Sequence, residues 1–338
     1  MQFFRDGDEI PQLPDLEATH IATVSMGIES VLHCPSRRAL TGRMFVVTAP
    51  TGNIGRQVVQ NLLGQDAPVR VVVRDPSRLP ADIRDRVDVV TGSHSDPEVI
   101  AGACAGARAV LWLVPPQPRV ADVERFYLDF TRPAAGAFVK HGVERVIGVS
   151  ALGRGTPWEH DAGHVTAVLA MDDLIAAGGV PYRALANPSF IDNTLTQIPS
   201  ITGHGVISSP VAADRRMPTC TTGDIAAVAT RLLLDDGWTG HGEVPVLGPE
   251  DLSGDDQARI ISEVLGRPVR YRQVPAGEFE ATMLAYGMSE GVARSMTRMM
   301  LAKDAGLDNG VTRTPENSTP TTFREWCERV LKPMVHAA

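Results

Sequence analysis

The chain has 338 residues, 40 acidic and 32 basic side chains, and a net charge of −8. That length suits one large α/β domain, or a domain with a smaller lobe. The mildly acidic balance and the lack of a basic cluster exclude nucleic acid as an expected partner, and no apolar stretch reaches membrane-spanning length.

Four cysteines (Cys34, Cys104, Cys220, Cys327) lie far apart without a C-x-x-C pair. They read as buried free thiols of a reducing, cytoplasmic compartment. The N-terminus carries no signal-peptide core. Residues 1–42, with Pro11, Pro14 and Pro35, precede the first core strand and read as an N-terminal extension whose role the sequence leaves open.

At Met44-Phe45-Val46-Val47-Thr48 an apolar run begins, then stops in the turn Ala49-Pro50-Thr51-Gly52-Asn53-Ile54-Gly55. A helical pattern follows, with Ile54, Val58 and Leu62 on one face. Strand, glycine turn, helix is the order that presents backbone N–H groups and a helix N-terminus to a pyrophosphate. A side chain at Gly52 would block the phosphate, and one at Gly55 would push the helix off its strand. The first glycine of the usual pattern is replaced by Ala49, which is tolerable if its φ is negative; Pro50 stiffens the turn.

Val69–Val73 reads as a buried second strand ending in Arg74-Asp75-Pro76-Ser77-Arg78. Arg74 stands about 20 residues beyond the turn, where an acidic side chain would hold a ribose hydroxyl and an arginine suits a 2′-phosphate. Arg78 is a second candidate for that phosphate. NADP(H) is therefore the preferred cofactor, with Asp75 keeping NAD(H) as the alternative.

The alternation continues with a strand at Val87–Thr91, a helix from Pro97 capped by Asp96, and a strand at Ala109–Val114 halted by Pro115-Pro116. A helix carrying Val123, Phe126, Tyr127 and Phe130 is expected to break or kink near Pro133. A strand at Glu144–Val149 ends at Ser150-Ala151, and a helix over His164–Ala177 stops at Gly178-Gly179. A strand at Val180–Ala186 leads into Asn187–Asn193. The pattern predicts an α/β fold, a Rossmann-type doubly wound parallel sheet over residues 43–193. Residues 194–338 read as a smaller α/β lobe that shapes a substrate pocket, with the chain free to cross back between the two. There Asp224 is expected to cap a helix over Ile225–Leu234, Val244–Leu247 to form a strand, and the methionines from Met283 to Met300 to serve as adaptable core.

Thr51-Gly52-Asn53-Ile54-Gly55, Val73-Arg74-Asp75-Pro76-Ser77, Leu113-Val114-Pro115-Pro116, Ser150-Ala151 and Phe190-Ile191-Asp192-Asn193 together resemble the NmrA-like atypical short-chain dehydrogenase/reductases. Gly223–Ala229 and Val246–Glu250 are similar to that family's second half. The resemblance spans about Met44 to Pro333. It implies that Thr51–Gly55 holds the pyrophosphate, Arg74 the 2′-phosphate, Val114-Pro115 the adenine side and ribose, and Ser150-Ala151 with Pro188-Ser189 the nicotinamide. Members of the family divide between reductases and cofactor sensors that do no chemistry.

Short-chain reductases use a Tyr-x-x-x-Lys pair. Matched through Asp172 and Gly178-Gly179-Val180-Pro181-Tyr182, those positions here hold His164 and Val168. His164 is a candidate proton donor, weighed against a histidine bonded to backbone or water at a helix start. Ser150 is a candidate to bond a carbonyl oxygen, weighed against a cofactor contact. Trp158, His160, His164, Phe190, Asn193 and His204 are candidates to line a substrate pocket, weighed against simple packing. His160-Asp161-x-x-His164 resembles a zinc spacing, but an aspartate replaces the glutamate base and no third ligand is evident, so no metal is expected.

The expected function is reduction of a small or medium organic carbonyl, quinone or unsaturated compound with NADP(H). The alternative is a non-catalytic sensor in which cofactor occupancy shifts a protein-binding surface. Substrate and oligomeric state are not legible.

Overall fold

The computed structural model describes residues 44–337; the predicted extension over residues 1–42 and Cys34 lie outside them. Strands and helices alternate from the start: β1 (Met44–Thr48), α1 (Asn53–Leu63), β2 (Val69–Val73), α2 (Ala81–Arg84), β3 (Asp88–Thr91), α3 (Pro97–Cys104), β4 (Ala107–Trp112), α4 (Val123–Lys140), β5 (Arg145–Ala151), α5 (His164–Ala177) and β6 (Tyr182–Asn187). The second half brings β7 (Ser189–Phe190), α6 (Ile198–His204), β8 (Val206–Ser209), β9 (Met217–Cys220), α7 (Thr222–Leu234), β10 (His241–Pro245), β11 (Asp251–Leu252), α8 (Gly254–Leu265), β12 (Arg270–Gln273), α9 (Ala276–Ala285), α10 (Glu290–Asp304), α11 (Phe323–Trp326) and α12 (Lys332–Ala337).

Seven strands form one sheet in the order β10-β6-β5-β4-β1-β2-β3, and every neighbouring pair is parallel. Such a sheet must be covered on both faces, which is why Met44–Val47 of β1 and Ala109–Trp112 of β4 read as unbroken apolar runs. On one face Phe45, Val47, Val71 and Leu111 pack with Val58 and Leu62 of α1 and with Ile225, Ala229 and Leu233 of α7. On the other, Val46, Val72, Val110 and Trp112 meet Tyr127, Ala134 and Phe138 of α4 and Met171 and Ile175 of α5. Each of the valine, leucine, isoleucine, phenylalanine and methionine side chains among these, removed fully from water, contributes about 1.5–3 kcal/mol. Strand order reverses direction between β1 and β4, the switch point at which open α/β sheets bind ligands.

Several expectations shift. The helix carrying Pro133 runs unbroken from Val123 to Lys140. Packing of Thr131, Ala134, Ala135 and Phe138 against the sheet holds it together, and Thr131 Oγ1 accepts the Trp112 indole N–H at 3.2 Å. The strand expected to reach Val114 ends at Trp112. The strand expected at Val244–Leu247 is His241–Pro245, and it adds to the edge of the main sheet beside β6. With α7 packed on α1, the chain crosses back into the first unit before leaving it again.

Asp224 is not the cap of α7. Thr221 fills that place, its hydroxyl accepting from the Asp224 N–H at 3.0 Å, and the helix begins at Thr222. Beyond the main sheet lie two small ones, β11-β9-β7 and β12-β8. They are packed around Ile201, Ile207, Ile261, Phe323 and Trp326. Met296 is buried in the main core with Met283 and Met288 partly buried against it, an irregular seam of the kind that methionine fills.

Candidate functional site

The turn between β1 and α1 owes its shape to two residues. Ala49 adopts φ 48°, the left-handed region, so the condition of a negative φ for the missing first glycine does not hold. An alanine there is strained by about 1–2 kcal/mol. Gly55 lies in the first turn of α1, where a Cβ would stand 2.3 Å from the Ala49 carbonyl oxygen. Its lack of a side chain lets the helix start directly against the turn.

Gly52 is the N-cap of α1, with extended backbone and no side-chain cap bond, and the first turn of the helix holds no acidic residue. The helix N-terminus thus stands beside the switch point with no cap side chain from Gly52 and no acidic residue in its own first turn. That fits a pyrophosphate at Thr51–Gly55. Thr51, Gly52 and Asn53 are half-buried, while Ile54 and Gly55 are buried under the turn.

Arg74 and Arg78 are both exposed just past the end of β2. Asp75 between them caps the short 3-10 turn Pro76–Arg78, accepting from the Ser77 N–H at 2.9 Å and the Ser77 hydroxyl at 2.7 Å through one oxygen. Those bonds hold its carboxyl below the usual range. One oxygen of Asp75 is therefore engaged locally, and two exposed cations flank it at the strand end.

Val114 and Pro115 are positioned by a device absent from the sequence reading. Where Leu113 leaves the ladder, side chains replace it. Thr48 Oγ1 accepts the Leu113 N–H at 2.8 Å and reaches the Leu111 carbonyl at 3.0 Å. His94, following β3, bonds the Leu113 carbonyl through Nε2 at 2.8 Å. His94 is edge-on to Trp112 and Phe130, and burial pushes its pKa down to about 4. A neutral imidazole with Nε2–H as the donor satisfies this geometry. Only a polar residue immediately after a Gly-Ser turn hinted at it.

At the far side of the switch point, Ser150 is buried and donates to Asp172 Oδ2, while the Tyr182 hydroxyl donates to Asp172 Oδ1 at 2.5 Å. Gly148 makes this cluster possible, since a Cβ there would meet the Tyr182 hydroxyl at 1.8 Å. Burial drives the Asp172 pKa up to about 7, against the hydrogen bonds from Ser150 and Tyr182. Ser150 thus points toward α5 rather than standing open to a carbonyl. Ala151 is half-buried at the strand end. Asn187 donates to the Ser150 carbonyl at 3.0 Å and the Leu185 carbonyl at 2.7 Å, while its buried Oδ1 has no hydrogen-bond partner among the described residues. Pro188 is buried and Ser189 half-buried in the segment that follows.

His164 opens α5, buried, with Nδ1 2.8 Å from the Ser295 hydroxyl of α10. Gly163 before it brings the chain so close that a Cβ would overlap the Ser295 carbonyl oxygen at 1.9 Å. Burial lowers the His164 pKa to about 4, so its ring is uncharged at neutral pH. His160 and Trp158 are exposed on the preceding loop, whereas Phe190 and Asn193 are half-buried on the segment after β6. His160 and His164 therefore lie in different environments, and no group of three or more His, Cys, Asp or Glu side chains among the described residues could hold a metal. Cys104, Cys220 and Cys327 are buried free thiols with pKa values raised by burial.

Residues 50–236 match the NAD(P)H-binding family. The chain belongs to that family. A (4-alkanoyl-5-oxo-2,5-dihydrofuran-3-yl)methyl phosphate reductase of Streptomyces griseus is 28% identical over 288 residues, 84% of this chain and 96% of the relative. Among solved structures, an NADPH-dependent quinone oxidoreductase of Escherichia coli superposes with a TM-score of 0.67 at 20% identity, over 87% of this chain and 99% of that one. NmrA, a negative transcriptional regulator in complex with NADP, does so with a TM-score of 0.67 at 15% identity, over 88% and 97%. The NmrA-type architecture implied by the sequence motifs is thus the fold of this chain. No helix among the described residues is long and apolar enough to cross a membrane.

Proposed function

We propose that this protein is an NADPH-dependent reductase of a small or medium organic carbonyl, quinone or conjugated unsaturated compound. The observation that carries the reading is the pairing of a helix N-terminus at Gly52 that has no acidic residue in its first turn with two exposed arginines just past the end of β2, flanking an aspartate whose Oδ1 is bonded by Ser77. Backbone amides of Thr51–Gly55 hold the pyrophosphate, with Ala49 setting the turn. Arg74 and Arg78 bind the 2′-phosphate and reject a cofactor that lacks it. Val114 and Pro115, fixed through Leu113, border the adenine and its ribose. Ala151, Pro188 and Ser189 border the nicotinamide, with Ser150 acting from below through the strand end.

The bound cofactor supplies a hydride. Phe190, Asn193 and Trp158 would contact the acceptor, with His160 at the rim, and would orient it and exclude water. A neutral, buried His164 engaged with Ser295 and a Ser150 committed to Asp172 are poor candidates for supplying the accompanying proton, so water or the acceptor itself fills that role. The Streptomyces relative's substrate is by its name a conjugated lactone, which supports the unsaturated class.

The same two observations favour a second reading, a cofactor sensor without chemistry. Purified protein should consume NADPH with conjugated enones, quinones or butenolides. Binding of NADPH with no turnover across such a panel would leave the sensor, and absence of NADPH binding would sink both.

A further inference from the structure

The phosphate turn and the candidate substrate wall are joined by a line of side chains that none of the assigned roles uses. Asp192 lies in the 3-10 segment Ile191–Gln197, between Phe190 and Asn193, and is buried. Its Oδ2 accepts the Thr222 N–H at 2.8 Å and its Oδ1 the Thr222 hydroxyl at 2.7 Å. The Thr222 hydroxyl oxygen in turn accepts from Gln57 Nε2 at 3.3 Å, and the same Nε2 donates to the Asn53 carbonyl at 2.7 Å. Asn53 is the first residue of α1, inside the turn proposed above to hold the pyrophosphate. Gly223 leaves room for this crossing, because a Cβ there would press on Gln57 Oε1 at 3.2 Å. The α7 N-terminus is held from a third side by Thr321, whose hydroxyl donates to Asp224 Oδ1 at 2.9 Å.

A local capping explanation accounts for the Asp192–Thr222 bonds alone. It does not account for Gln57, which already has a partner within its own helix and spans 165 residues of sequence to reach a second. Asp192 is an acceptor on both oxygens and Thr222 a donor through both its N–H and its hydroxyl, so each bond in the line fixes the direction of the next. A shift of Asn53 moves Gln57, and Gln57 can keep both bonds only if Thr222 and the Asp192 segment move with it.

We propose that Gln57, Thr222 and Asp192 are positioning residues that transmit seating of the dinucleotide phosphate at Asn53 to the Phe190–Asn193 wall, so that the substrate side is ordered only when the cofactor is bound. This rests on the dinucleotide-binding reading above. Linkage makes the coupling reciprocal, so a variant that cuts the line must also weaken the effect of the wall on cofactor affinity.

Hydrogen–deuterium exchange on the full chain, with and without NADPH, tests it without any turnover. In the wild type, NADPH should slow exchange both in residues 49–57 and in residues 189–197. In Gln57→Met and Thr222→Val, protection of 49–57 should persist while the NADPH-dependent protection of 189–197 falls several-fold. Thr222→Ser, which keeps the hydroxyl, should restore it. Undiminished protection of 189–197 in Gln57→Met, a conservative change on a half-buried helix face, would overturn the inference even if Thr222→Val fails to fold. Protection of 49–57 in the wild type without any change at 189–197 would also overturn it. No protection at 49–57 would instead overturn the dinucleotide reading, and the coupling with it.

Discussion

The Ala49 carbonyl oxygen stands 2.3 Å from where a Cβ on Gly55 would lie, but 3.4 Å from one on Gly52. The two glycines of the turn therefore answer to different demands. Gly55 is required by the protein's own packing. Gly52 has φ −82° and ψ 167°, which any residue adopts, and only an ordinary contact to meet. Gly55→Ala should lower stability by about 1–3 kcal/mol through backbone displacement, visible as a fall in melting temperature without ligand. Gly52→Ala should leave the melting temperature nearly unchanged and weaken NADPH by about tenfold or more, a difference of about 1.4 kcal/mol. Equal destabilisation by both, or unaltered NADPH affinity in Gly52→Ala, would contradict this division.

Ala49 carries the strain that the usual glycine avoids. With φ at 48°, Ala49→Gly removes a left-handed penalty of about 1–2 kcal/mol and restores chain entropy of about 0.5–1 kcal/mol to the unfolded state. The net expectation is a gain of between nothing and about 1.5 kcal/mol in denaturant unfolding. A loss of stability would mean that the Ala49 methyl makes contacts that outweigh its strain.

Ser77 bonds Asp75 Oδ1, and Arg74 and Arg78 stand exposed on either side of it just past the end of β2; on the proposed reading they take the 2′-phosphate. Arg74→Ala should weaken NADPH by one or two charge-assisted hydrogen bonds, each worth about 1.5–3 kcal/mol, and leave NADH little changed. Calorimetric titration of both cofactors measures the difference. A similar loss for NADPH and NADH would remove Arg74 from the 2′-phosphate.

How much of this was legible follows the range of each interaction. The parallel sheet and the glycine turn were readable because burial on both faces writes apolar runs into β1, β2 and β4, and because close backbone approach demands glycine at one fixed spacing. The φ of Ala49 was not readable, since it depends on how α1 docks against the turn. The break expected in α4 at Pro133 does not occur, because packing on the sheet outweighs the hydrogen bond that the proline removes. The Thr48–Leu113–His94 clamp, the Ser150–Asp172–Tyr182 cluster and the His164–Ser295 bond each join residues far apart in sequence, of ordinary type. No local pattern announces such pairs. The glycines at 148 and 163 were visible, but what they make room for was not.

Asp172 gives the protein a buried carboxyl whose proton can be followed. Its folded pKa is about 7, well above the ordinary 3.8 of an aspartate because burial penalises the charge. Raised in the folded state, the group stabilises fully below the unfolded value, and that contribution is lost as pH rises from about 4 through about 7. Arg154, which pairs with Asp173, Glu243 and Glu159, offers only a distant cation to the ionised form. His94 and His164 act in the opposite sense, with folded values near 4 against 6.5, so their contribution is lost as pH falls below about 6.5. Comparing the wild type with Asp172→Asn cancels both histidines. The difference in unfolding free energy should be flat below about pH 4, move steadily in favour of the variant up to about pH 7, and flatten again. Infrared spectra should show a protonated-carboxyl band in the wild type at pH 6 that is missing from the variant. A pH-independent stability difference would mean that Asp172 folds as a charged group, with Ser150 and Tyr182 supplying enough hydrogen bonding to hold it so.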